Sequence, residues 1–365
     1  MDKAEKDIRA VTNLLADLFY IDAVYRRGPH EVAYSLGYRF NSLKAVGLLR
    51  DRLDTGGYEF DIDASDENVV LTVDPRRRLR IPRTNIILFL ATLFTVYVVP
   101  VFARRMLTAE SWSDAVDRTL QALARGEGLL FTAAMISILF VHEMGHFIAS
   151  RRRGIVTSLP YFIPAPNIIG TFGAIIKSKS PFWNRRDLIE VGAAGPIAGW
   201  VVAVGWLWFG LQQSQVLLQL EFQPIDLLFS MDGESLLMRL STWLILGPAP
   251  EGHFYRLSEA AFAGWVGLLV TAINMLPIGQ LDGGHVVYGL GRRRQHLLGM
   301  LATGGLILLG LQSPVWWFFA AFGLIFGMKH PPTLDDSYDP STSAKVMGWA
   351  ALVILVLSFT PVPFR

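Results

Sequence analysis

His142, Glu143 and His146 stand in the order His-Glu-x-x-His, and at helical pitch the two histidines at i and i+4 share one face, where both rings can hold one zinc ion. Glu143 lies about 100° around the helix from the first of them, so it can take a proton from water activated at the metal without being a ligand. Catalytic zinc keeps three protein ligands and one open position, so a third must come from elsewhere in the chain. There is no cysteine, which leaves His and carboxylates. Asp282 is the strongest candidate. It stands in Asn274-Met275-Leu276-Pro277-Ile278-Gly279-Gln280-Leu281-Asp282-Gly283-Gly284-His285, where Pro277 and Gly279 should break a helix and leave irregular backbone. At membrane depth such backbone is tolerated only beside protein or a water-filled cavity, which suits a reaction chamber. His285 competes with Asp282 as the third ligand.

The elements that must position these groups read as membrane helices. A hydrophobic content of 52% in 365 residues exceeds what a soluble core requires, and the mean hydropathy is positive. Apolar runs at 86–102, 129–150, 191–211 and 260–278, with shorter ones at 296–311, 314–328 and 346–361, predict about six or seven spans of a hydrocarbon layer about 30 Å thick. The His142 motif sits inside the second run. There a charged residue costs roughly 2.5–3.5 kcal/mol at a helix centre on insertion scales, and a bound metal compensates for it in a way that two surface histidines do not.

Residues 1–82 differ from the rest. Spread charges, an amphipathic start over 11–25 and period-two segments at 58–62 and 69–73 predict a small α+β soluble cap outside the membrane, with residues 83–365 forming an all-α polytopic transmembrane domain. The first twenty residues lack the apolar core of a signal peptide, so the N-terminus is expected to be retained in the cytoplasm. Basic residues then fall on alternate connections: Arg76, Arg77, Arg78, Arg80 and Arg83; Arg151–Arg153 with Lys177, Lys179, Arg185 and Arg186; Arg292–Arg294; and Lys329. The loop 212–259 is instead acidic, with Glu221, Asp226, Asp232, Glu234 and Glu251. Only the loop with Arg104, Arg105, Arg118 and Arg125 runs against the rule. This pattern places a multi-pass protein in the cell membrane with its N-terminus inside. A net charge of +2, gathered in short patches beside apolar runs, excludes a nucleic-acid partner.

The paired motifs, His142-Glu143-x-x-His146 in one helix and Asn274-x-x-Pro277-x-x-x-x-Asp282-Gly283 in a later one, resemble the site-2 protease family of intramembrane zinc metalloproteases. The resemblance covers roughly residues 84–330. It implies Zn2+ held by His142, His146 and Asp282, Glu143 as acid and base, and Asn274 holding the substrate or the developing oxyanion. It places His285 outside the ligand set, where a ring hydrogen bond would orient Asp282. It also implies a membrane-anchored protein substrate, unwound locally and cut within the bilayer. Two further segments look like this family. Prolines 160, 164 and 166 lead into the β-prone stretch 168–176, too short to span as a helix and expected as a re-entrant β-hairpin. Its residues Gly170, Thr171, Phe172 and Gly173 are the expected substrate-binding edge, on which a peptide adds as a strand. The second segment is the small-residue run Gly192–Gly199, which close helix packing explains sufficiently.

Two other readings use the same residues. A membrane protease that trims soluble ends would need only the His142 motif, and the Asn274 to Gly283 motif argues against it. A metal or ion transporter would place the polar cluster at mid-membrane with no need of a base. His30, His253, His296 and His330 have no partners at ligand spacing and are expected as solvated side chains, and Trp316 and Trp317 as interfacial anchors. Substrate identity and oligomeric state are not written in the sequence.

Overall fold

The computed structural model describes residues 3–27, 31–65, 68–75, 81–218, 234–248, 250–337 and 339–363. Arg76, Arg77, Arg78, Arg80, His30, Glu221, Asp226 and Asp232 lie outside the described residues.

The chain begins with α1 (Lys3–Leu15), β1 (Phe19–Arg26), β2 (Val32–Tyr38), α2 (Ser42–Gly56), β3 (Glu59–Ala64) and β4 (Asn68–Asp74). The strands form one antiparallel sheet in the order β1-β2-β4-β3. Alternation decides its inner face: Val32, Tyr34 and Leu36 on β2 and Val69, Leu71 and Val73 on β4 are buried with Leu14, Leu15, Leu49 and Leu53 of the two helices. The amphipathic start is thus divided. The helix stops at Leu15, and the aromatic and β-branched stretch from Phe19 continues as a strand. Asn41 caps α2 by accepting from the Lys44 N–H, and Gly57, at φ 73°, closes its far end. Arg52 is held in a fork by Asp17 at 2.6 and 2.8 Å and by the Leu14 carbonyl at 2.8 Å.

After residue 82 the chain is mostly helical: α3 (Arg83–Met106), α4 (Trp112–Ala124), α5 (Leu129–Arg152), the hairpin β5 (Tyr161–Pro164) and β6 (Thr171–Ile175), α6 (Arg185–Leu211), β7 (Gln215–Leu218), α7 (Leu236–Leu246), β8 (His253–Arg256), α8 (Glu259–Asn274), α9 (Asp282–Leu309), α10 (Val315–Phe326) and α11 (Thr342–Ser358). Among the described residues, α3, α5 and α6 are long and apolar enough to cross a membrane, while α7, α8, α10 and α11 are shorter apolar helices. Helix α8 is the centre of the bundle. From Ala260 to Leu269 every residue is buried, as expected for a helix that is apolar all round. Helix α6 packs on it at backbone distance. A Cβ on Gly264 would meet the Leu207 nitrogen at 2.5 Å, and one on Gly210 the Ala261 nitrogen at 2.0 Å.

Three features depart from the sequence reading. The acidic loop 212–259 contains the antiparallel pair β7–β8 and the apolar helix α7. Helix α4 has no counterpart among the expected apolar runs; its Arg118 pairs with Asp114 at 2.7 Å one turn away. The four arginines that broke the charge alternation all meet carboxylates: Arg104 with Glu259 at 2.9 Å, Arg105 with Glu127, Arg125 with Glu127 at 3.3 Å, and Arg118 as above. The N-terminal sheet and helices also touch the bundle beside α5. Val156 belongs to the same buried cluster as Val11 and Tyr58, and Lys179 pairs with Asp51 at 2.6 Å.

Candidate metal centre and active site

Helix α5 carries His142 and His146 on one face, their rings edge to face with centroids 4.9 Å apart. Asp282 comes from the first residue of α9, which the chain reaches from α8 through the tight turn 275–281. In that turn Gly279 has φ 51°, and a Cβ on it would strike the Gly327 carbonyl at 2.2 Å. The turn delivers Asp282 Oδ2 to 3.3 Å from His142 Nε2 and 3.2 Å from His146 Nε2, with the two nitrogens 3.2 Å apart. Donors about 2.0–2.1 Å from a tetrahedral ion stand about 3.3–3.4 Å from one another, so this triangle fits one face of a zinc coordination sphere. The tautomer fits as well. His146 Nδ1–H donates to the Val191 carbonyl at 2.8 Å, which leaves the Nε2 lone pair facing the other two donors. Asn274 brings its amide nitrogen to 3.4 Å from His142 Nε2. Glu143 is buried next to the first histidine, and all these groups line one cavity of about 580 Å³.

Helix α6 makes room for the rings. A Cβ on Gly195 would lie 2.1 Å from His146 Nε2, one on Gly199 would lie 2.9 Å from His142 Cβ, and one on Gly145 would meet the Ala194 carbonyl at 2.6 Å. The run Gly192–Gly199 therefore serves the site directly as well as the packing. No residue other than glycine at 195 leaves the imidazole where it is.

Residues 130–311 match the model of peptidase family M50. The chain belongs to the site-2 protease family. It is 32% identical over 316 residues to "Probable zinc metalloprotease EGY2, chloroplastic" of Oryza sativa subsp. indica, covering 83% of this chain and 55% of that protein. It is 31% identical over 321 residues to the Arabidopsis thaliana protein of the same name, covering 82% and 53%. With "Probable zinc metalloprotease EGY1, chloroplastic" of Arabidopsis thaliana it shares 34% identity over 240 residues, covering 62% and 42%. The chain thus spans about half the length of these curated relatives. No solved structure matches it.

In this family member the expected hairpin residues sit on two sides of the ribbon. Gly170, at φ 82°, rests its backbone on α3 and accepts a hydrogen bond from the Thr95 hydroxyl at 2.7 Å. Thr171 is buried, and its hydroxyl donates to the Ile163 carbonyl at 2.8 Å. Phe172 is 68% exposed, and Gly173 has open space where a side chain would stand. The ribbon residues that line the cavity are instead Ala174 to Lys179, the next ones along the chain.

One expected solvated side chain is neither solvated nor alone. His330 is only 3% exposed, its Nε2 stands 2.6 Å from His285 Nδ1, and its own Nδ1–H donates to the Pro331 carbonyl. Gln295 Oε1 accepts from its backbone N–H at 2.9 Å. Burial lowers the His330 pKa below the ordinary imidazole value and favours the neutral ring. A neutral His330 that donates through Nδ1 must accept at Nε2, so His285 Nδ1 carries the proton and His285 Nε2 is left as an acceptor, its ring lining the cavity. The sequence gives no local signal for this pair, whose members lie on α9 and on the segment after α10.

Proposed function

We propose that this chain is an intramembrane zinc metalloprotease that hydrolyses peptide bonds within the transmembrane segments of membrane-anchored proteins. The observation that carries the reading is the triangle of His142 Nε2, His146 Nε2 and Asp282 Oδ2, closed at 3.2–3.3 Å between apolar helices with Glu143 in the same cavity.

His142, His146 and Asp282 hold the zinc. When bound, zinc supplies a Lewis acid that lowers the pKa of water and polarises a carbonyl. Glu143 takes the proton of the attacking water and passes it to the leaving amine, which a carboxylate beside the ligands but outside their set can do. Asn274 steadies the substrate carbonyl as charge develops on it. A helical substrate has its carbonyls tied up in its own hydrogen bonds, so a local stretch must unwind first. The ribbon then offers that stretch a partner: β6 is bonded on one side to β5 in a two-stranded sheet, and Ala174 to Ile176 face the cavity. On this reading the hairpin is re-entrant, and Gly170 at the end of its turn with Thr171, Phe172 and Gly173 at the start of β6 form the near end of the substrate-binding edge.

The same proposal divides the chain into a cytoplasmic cap, residues 1–82, and a transmembrane protease domain, residues 83–365, with six or seven spans formed when the shorter apolar helices join α3, α5 and α6. It places the protein in the cell membrane. The cytoplasmic N-terminus rests on the alternation of basic segments, and the pairing of Arg104, Arg105, Arg118 and Arg125 with carboxylates lessens the one objection to it.

The test is cleavage of a model transmembrane substrate by the purified chain in detergent. Glu143→Gln is expected to lower turnover by about two to four orders of magnitude, and a zinc chelator to abolish it. Turnover that survives both changes overturns the reading.

A further inference from the structure

A second cavity, of about 430 Å³, opens where α9 leaves helical geometry at Gly291. Four arginines line it. Arg185 comes from the start of α6, and Arg292, Arg293 and Arg294 follow the kink. Two carboxylates face this group, and both are already engaged. Asp336 accepts from Tyr288 at 2.7 Å and from Thr333 at 2.7 Å and lies 3.4 Å from Arg292; Asp339 is shared by Arg185 at 2.8 Å and Lys345 at 3.0 Å. The balance is positive. In addition, Arg185 Nε is buried with no hydrogen-bond partner, a donor that the protein itself leaves unmet.

We propose that this cavity binds a phosphate group, and that the phosphate is the headgroup of an anionic phospholipid. Guanidinium forks match phosphate oxygens in geometry and charge, and a phosphate in the cavity gives Arg185 Nε the acceptor it lacks. The surface beside the cavity favours a lipid over free phosphate. Leu297 and Leu301 follow Arg293 at i+4 and i+8, and Leu298 follows Arg294 at i+4, so an apolar stripe runs down the same helix face directly from the arginines. These leucines are 53%, 62% and 40% exposed. One molecule with an anionic head and acyl tails covers both surfaces, whereas inorganic phosphate covers only the first. Basic pockets at the ends of membrane helices take anionic headgroups for the same electrostatic reason. The site is separate from the metal triad, and the proposal holds whether or not the chain is a protease.

Native mass spectrometry of the full chain in nonionic detergent tests it, with phosphatidylglycerol, phosphatidylcholine and inorganic phosphate as separate probes. Phosphatidylglycerol is expected to bind more tightly than either of the others. The double variant Arg293→Gln/Arg294→Gln, at exposed positions, is expected to weaken that binding about 25-fold, roughly fivefold for each basic residue removed. Arg293→Lys/Arg294→Lys should keep most of it, and an unchanged melting temperature in both variants shows that the fold is intact. Equal binding of phosphatidylcholine, or undiminished phosphatidylglycerol binding by the double Gln variant, overturns the proposal. Inorganic phosphate binding as tightly as phosphatidylglycerol overturns the lipid assignment.

Discussion

Arg52 with Asp17, and His146 with Asp282, are both polar pairs enclosed by apolar elements, but the chain resolves them in opposite ways. The guanidinium of Arg52 finds two carboxylate oxygens and a carbonyl, so the donors and acceptors within the N-terminal layer cancel. His146 Nε2 and Asp282 Oδ2 stand 3.2 Å apart, and in the neutral ring that donates through Nδ1 to Val191 both are acceptors, the state a metal ligand requires. A cation held between them satisfies both. A buried polar cluster that the protein satisfies by itself holds structure together; one left short of a positive charge marks a site.

Breaking the second pair has the larger effect. Asp282→Asn removes the anionic ligand, and zinc affinity measured against a fluorescent chelator is expected to fall by more than the roughly 10–100-fold that loss of an outer hydrogen bond costs. Cleavage falls with it, while the melting of the N-terminal layer is unchanged. Retained affinity would mean that the carboxylate and the imidazoles serve different purposes.

Gly195→Ala strikes the same site from α6. The added methyl lies 2.1 Å from His146 Nε2, so either the ring or the helix must move, at a cost of about 1–3 kcal/mol in thermal or denaturant unfolding and with loss of bound zinc. Gly205→Ala on the same helix, where nothing stands within 4 Å, should leave both zinc and activity alone.

Arg52→Met sharpens the other side of the comparison. It leaves Asp17 without its fork, and because the Asp17 side chain is 28% exposed the cost belongs near the lower end of about 1.5–3 kcal/mol. Hydrogen exchange should quicken in β2 and β4 while zinc content stays the same. The smallest effect is expected at His330. His330→Phe removes the acceptor that fixes the tautomer of His285, a ring that lines the cavity, and should lower kcat by less than the roughly tenfold that losing a hydrogen bond to a metal ligand costs, and His330→Gln, which keeps an acceptor, should recover most of it.

What the sequence made legible follows from the range of each signal. The i, i+4 histidines need only one helix, and the break at Pro277 and Gly279 needs only one turn, so His142, His146 and Asp282 could be named before their meeting was seen. Apolar runs found α3, α5, α6, α8 and α11 in the same way. In the loop 212–259 the charges dominate the composition and mask the apolar stretch of α7. Gly195 and Gly199 read as packing residues because nothing local shows which side chain faces them. His330 is a partner of His285 only through the fold, since 45 residues separate them. The ribbon's register was invisible for a similar reason: Gly170 is fixed by Thr95 of α3, and that contact carries the cavity-lining stretch on to Ala174 and beyond.

Zinc K-edge X-ray absorption on the purified protein tests most directly that two separate segments complete one coordination sphere. The account predicts a four-coordinate ion with two imidazoles and oxygen ligands, a spectrum unchanged in Glu143→Gln and altered in Asp282→Asn. A spectrum with three imidazoles, or one that Asp282→Asn leaves untouched, would contradict it.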